Sequence, residues 1–212
     1  TNHQYAAGAD WTKRKYSNDG TADEDGRVFA LGLGRPLEPG TYYIGVRNSV
    51  ASTNMSYTIR SRGIGAPYSI PVYDLPFVGS HTNIALMPRE AAYYRVIIPS
   101  NAPSWRVKLT NLAGESMLAI LRNALPNSDT VNANGDSTSG KGLQKPGNEH
   151  FVILPKNGTT NIQPATNFLA VISEVKNPPT SRIGSGGSDY VLSSLGTLPI
   201  TDMGLLTSED LV

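Results

Sequence analysis

The chain has 212 residues, a net charge of +1, 17% charged residues, 21 Gly, 15 Pro and no Cys. That length allows one large domain or two small ones, and the Gly/Pro content with little charge favours many short strands joined by turns. Absent cysteine excludes disulfides, thiolate metal sites and cysteine nucleophiles; near-neutral charge gives no footprint for nucleic acid, and no apolar run reaches the ~20 residues of a membrane helix.

In chain order, residues 1–26 are polar and turn-rich, and Ser17–Gly26 lacks apolar periodicity, so it reads as a loop. Arg27–Leu31 reads as a short strand. Pro39-Gly40 then feeds Thr41–Arg47, and Ser56–Arg60 follows a small polar loop; these two strands are expected to pair as an antiparallel hairpin. Residues 61–80, with Gly63, Gly65, Pro67, Pro71, Pro76 and Gly79, read as an inter-module linker holding one extended piece, Ile70–Tyr73.

From Asn83 the strands become regular: Ile84–Met87, Ala92–Ile98, then Trp105–Leu109, which alternates with Trp105, Val107 and Leu109 on one face and Arg106 and Lys108 on the other. Met117–Leu121 is apolar on both faces, as a central strand would be; a helix is the alternative, and the segment is short for one. Residues 122–148 form a long polar loop. Phe151–Leu154, Asn167–Ser173 and Tyr190–Ser193 complete the set.

Four blocks recur in order. Val28–Leu31 matches Phe151–Leu154, Thr41–Val46 matches Thr166–Val171, Tyr57–Ile59 matches Tyr190–Leu192, and Ile70–Leu75 matches Leu198–Met203. An ordered set of this kind is the mark of duplication. The expected architecture is all-β, with tandem antiparallel β-sandwich (jelly-roll-like) modules. Residues 1–65 would be the closing part of a first module, 66–198 a complete second module, and 199–212 a linker or the start of a further one. The opening strands of the first module have no counterpart here, so an upstream segment or another chain is expected to supply them.

These blocks resemble bacterial pre-peptidase C-terminal domains, in which a "PGTYYVRV" strand precedes "GSYTL". The corresponding residues are Pro39-Gly40-Thr41-Tyr42-Tyr43-Ile44-Gly45-Val46 and Met55-Ser56-Tyr57-Thr58-Ile59, with Tyr93-Tyr94-Arg95-Val96 opening a module; the second copy, Pro164–Phe168 and Gly187–Tyr190, is more divergent. The resemblance implies a small β-sandwich appended to secreted bacterial hydrolases, with relatives that bind calcium and collagen or resemble carbohydrate-binding modules. Where the family carries an Asp-Leu-Tyr-Val strand, this chain has Met117-Leu118-Ala119-Ile120, without the acidic residue.

Catalysis has little support. His3, His81 and His150 stand in unrelated contexts, and no Gly-x-Ser-x-Gly elbow, His-Glu-x-x-His or P-loop is present. For calcium, oxygen ligands at alternate positions would suit a hard cation: Asp23 and Asp25 in the first copy, and Asn132, Asn134 and Asp136 in the second. The same residue types also serve ordinary turns. For polysaccharide, Trp11, Tyr16 and Tyr73 lie in loop-like segments and could act as flat platforms. Trp105 is expected in the core, and Tyr43, Tyr57, Phe168 and Tyr190 are expected to pack.

The expected function is a non-catalytic accessory module of a large secreted or surface bacterial protein, binding polysaccharide or extracellular protein matrix. The alternative is a structural repeat of a surface layer, adhesin or filament joined through strand contacts. No nucleic-acid partner and no membrane span are expected, and calcium is the one cofactor considered.

Overall fold

The protein is described here by a computed structural model covering residues 39–41, 44, 54, 56–87, 90–126, 141–143, 147–173 and 187–199. These residues contain nine strands and no helix: β1 Val72–Asp74, β2 Val78–Leu86, β3 Ala91–Ile98, β4 Trp105–Ala113, β5 Ser116–Arg122, β6 Lys141–Leu143, β7 Glu149–Ile153, β8 Ala165–Ser173 and β9 Ser188–Leu195. A five-stranded sheet runs β1-β3-β8-β5-β6 and a four-stranded sheet β2-β9-β4-β7. β1 pairs with β3 in parallel, and the other strand pairs are antiparallel.

The two sheets are held face to face by the alternation of their side chains. β4 and β9 bury every second residue and present the rest outward. Trp105, Val107, Leu109, Tyr190 and Leu192 thus meet Tyr94, Val96, Ile98, Leu118, Ile120, Leu169 and Val171 of the opposing sheet in one core. Each large apolar side chain fully buried there contributes about 1.5–3 kcal/mol of transfer free energy. Trp105 is fully buried, as expected of the apolar face of an alternating strand.

The five-stranded sheet has a second apolar face. Tyr93, Met117, Ala119, Ala170 and Ile172 are buried on its outside, packed with Ile64, Ile70, Val72 and Leu125. This is why Met117–Leu121 is apolar throughout: β5 lies inside its sheet, between β8 and β6, and is covered on both faces.

Several expectations are corrected. Residues 61–80 are not merely a linker, since they carry β1 and the start of β2. Edge strands tolerate flanking prolines because only one side of the ladder must be satisfied, and Pro71 and Pro76 stand just outside β1. Before β1, residues 63–70 close a turn in which Gly65 N–H donates to Ile70 O (2.7 Å), Ile70 N–H to Gly63 O (3.0 Å) and Tyr68 N–H to Gly65 O (2.6 Å). Arg62 forms an ion pair with Glu90 and fastens this turn to the start of β3.

Ser56–Arg60 is not a strand, and Tyr57 is 59% exposed rather than packed. Strands β8 and β9, which match the two strands of the expected hairpin in sequence, lie in opposite sheets and do not pair with each other. Each pairs with two other strands, β8 with β3 and β5 and β9 with β2 and β4. The long segment 122–148 contains β6, paired with β5 through Leu118 and Leu143. Val28–Leu31, and Thr41–Arg47 apart from residues 41 and 44, lie outside the described residues.

Candidate functional site

β1 and β2 are the edge strands of the two sheets on the same side of the sandwich, and Leu75-Pro76-Phe77 carries the chain from one to the other. The crossing is pinned. Leu75 N–H donates to Arg95 O (2.9 Å), and the Leu75 side chain is 4% exposed in the core. Ser194 Oγ donates to Phe77 O (2.6 Å) while accepting from Trp105 Nε1 (2.8 Å), so a core indole and the crossing backbone share one hydroxyl.

This geometry places an aromatic lip between the sheet edges. Tyr73 on β1 is in register with Tyr94 on β3, and their rings lie 5.6 Å apart at 33°. His81 reaches across from β2, its ring 4.8 Å from Tyr73 at 31° and 5.2 Å from Tyr94 in an edge arrangement of 62°. Exposure is graded: Tyr73 is 40% exposed, His81 half-buried and Tyr94 fully buried. Two residues along β2 on the same face, Asn83 Nδ2 donates to Tyr190 Oη (3.1 Å), and the Tyr190 and Tyr94 hydroxyls meet at 2.7 Å. Edge-to-face and tilted ring pairs of this spacing are favourable beyond the area they bury.

Burial raises the Tyr94 hydroxyl above the ordinary phenol range, against the opposing effect of its hydrogen bonds to Tyr190 and Asn83. Burial, followed by the neighbouring Tyr94, raises Tyr190 strongly. Both phenols are therefore neutral at physiological pH and retain a proton to donate. On the outside of the same strand, Arg95 holds Asp74 through both carboxylate oxygens, with Nη2–Oδ2 at 2.9 Å, and this pair fixes β1 against β3. The Arg95 hydrogen bond lowers the Asp74 pKa, although both groups face water.

At the far end of β4 is a second polar cluster. Glu115 Oε1 accepts from Gly147 N–H (2.8 Å) and Oε2 from Asn111 Nδ2 (3.1 Å); Asn111 Nδ2 also donates to Gly147 O (2.6 Å), and Asn111 N–H to Asn148 Oδ1 (3.0 Å). These bonds fasten the approach to β7 onto β4 and account for both Glu115 oxygens.

Of the expected platform residues, Tyr73 is in the lip, whereas Trp11 and Tyr16 lie outside the described residues. The expected calcium ligands Asp23, Asp25, Asn132, Asn134 and Asp136 also lie outside them. Among the described residues no group of three or more His, Asp or Glu side chains could hold a metal ion. His81, Asn83, Tyr94 and Tyr190 were not identified as site residues from sequence. The available signal was the alternation of Gly79, His81 and Asn83, which straddles the end of the stretch 61–80 read as linker. Chemically, the lip offers a braced, partly exposed aromatic face beside an imidazole and an amide, suited to stacking against the apolar face of a ring and to hydrogen bonding at its rim.

No protein-family model matches the chain, and no curated protein matches it. Among solved structures, it is similar to the pre-peptidase C-terminal domain of collagenase from Bacillus anthracis, with 13% identity, 65% of this chain and 99% of that chain covered, and a TM-score of 0.37. This is the kind of domain that the Pro39–Ile59 motifs resemble.

Proposed function

We propose that this chain is a non-catalytic binding module of a secreted or surface bacterial protein, and that it holds polysaccharide or extracellular matrix at the lip formed by Tyr73, His81 and Asn83. The observation carrying this reading is the bracing of Tyr73: its ring is partly open to solvent, yet it rests on His81 and Tyr94. A ring held in place loses little rotamer freedom when a ligand stacks on it. The rings of Tyr73 and Tyr94 enclose His81, with no hydroxyl–carboxylate pair about it among the described contacts, which favours binding over catalysis.

The test is retention of the chain on insoluble polysaccharides and on fibrous matrix protein, wild type against Tyr73→Ala. The reading expects retention on at least one of these solids and its loss, by about tenfold or more, in the variant. Equal retention of both proteins, or no retention on any solid, overturns it.

A further inference from the structure

The outer face of the four-stranded sheet carries an unbalanced charge. Strand registers place Ser80, Ser193, Lys108 and His150 in one row across β2, β9, β4 and β7, and Thr82, Val191 and Thr110 in the adjacent row. Arg106 stands two residues before Lys108 on the same face, about 7 Å along the strand, opposite Val152. The face thus carries the hydroxyls of Ser80, Ser193, Thr82 and Thr110 around two cationic side chains, with Val191 and Val152 among them.

The carboxylates of the described residues are engaged elsewhere. Asp74 pairs with Arg95, Glu90 with Arg62, and Glu115 with Gly147 and Asn111, while Glu149 is buried on the inner side of β7. Asp189, at the far end of this face, accepts from Ala85 N–H (2.6 Å). Neither Arg106 nor Lys108 meets a carboxylate among the described residues, and Arg106 Nε is buried without a hydrogen-bond partner. Both side chains are half-buried, as long cationic side chains are when their stems cover apolar surface and their charged ends reach water.

We propose that this face binds an acidic polysaccharide, with Arg106 and Lys108 meeting its carboxylates and Ser80, Ser193 and Thr110 hydrogen-bonding its hydroxyls. The occupant follows from the chemistry of the face. Two cations with no carboxylate partner among the described residues call for an anion, and the hydroxyls around them match a polymer that carries both hydroxyls and charge. A nucleic acid fits less well: the chain carries a net charge of only +1, and the described residues of this face include no aromatic ring besides His150 on which a base could stack. This surface is separate from the Tyr73 lip and stands or falls without it.

The experiment is affinity electrophoresis of the chain through gels containing alginate, neutral dextran, polyglutamate or single-stranded DNA, at low and high salt. Alginate is expected to retard the wild type at low salt and less at high salt, with neutral dextran without effect. R106Q/K108Q should weaken the alginate effect by about tenfold, R106K/K108R should retain most of it, and Tyr73→Ala should leave it unchanged. Circular dichroism establishes that the variants are folded. No retardation by alginate, equal retardation by polyglutamate or DNA, or an unchanged R106Q/K108Q would each overturn the proposal.

Discussion

The hydroxyls of Tyr94 and Tyr190 meet 2.7 Å apart across the sandwich, one from each sheet, and Asn83 donates to the second at 3.1 Å. Removing either hydroxyl leaves a buried partner short of a bond, whereas removing both leaves only Asn83 to satisfy. Tyr190→Phe and Tyr94→Phe should each cost about 1–2 kcal/mol in urea denaturation. The double variant should cost less than the sum, with a coupling of about 0.5–1.5 kcal/mol. Strict additivity would mean that the hydroxyls do not interact.

The same burial predicts an alkaline limit to stability. Tyr93 is pushed up to about 12, chiefly by burial and then by the nearby Glu90, and Tyr94 and Tyr190 are also raised. In the unfolded chain these phenols titrate near the ordinary value of about 10. Above that pH the unfolded state binds fewer protons than the folded state, so stability falls as pH rises. The stabilisation from these groups is complete below about pH 10 and declines toward pH 12, by up to about 1.4 kcal/mol per pH unit for each tyrosine. Urea midpoints measured from pH 8 to 11.5 should be flat at first and then fall. Tyr93→Phe should make the fall shallower.

Ser194 satisfies two buried groups at once, the Trp105 indole N–H and the Phe77 carbonyl. Ser194→Ala leaves both without this partner and should cost about 1–3 kcal/mol. It also loosens the crossing between β1 and β2, so backbone hydrogen exchange should accelerate at residues 75–79 more than in β5. Uniform acceleration would contradict the local role.

Gly114 turns the chain between β4 and β5 at φ +66°, and a Cβ there would lie 2.5 Å from Gly187 O. Gly114→Ala combines a left-handed backbone penalty with a backbone clash, and should destabilise by more than about 2 kcal/mol. Thermal melting checks this against Gly40→Ala, which meets nothing within 4 Å and should change little.

The central strands were legible because burial sets their side-chain period. Trp105–Leu109 alternates, and Met117–Leu121 is apolar on both faces, for reasons that do not depend on knowing the neighbouring strand. Pairing was not legible. β8 lies between β3 and β5 in one sheet and β9 between β2 and β4 in the other, and periodicity does not encode which strands become neighbours. β1 and the opening of β2 were obscured by Pro71, Pro76 and Gly79, residues that an edge position accepts. The candidate site shows the same division. Tyr73 could be identified as an aromatic in a turn-rich stretch, but its partners come from β2, β3 and β9 and are assembled only by packing across the sheets.

The lip can be tested directly by NMR titration of the labelled chain with the soluble oligosaccharide of whichever polysaccharide retains it. The account predicts the largest shift changes at Tyr73, His81 and Asn83, with the buried Tyr94 and Tyr190 responding less. Large changes elsewhere with these three unmoved would contradict it.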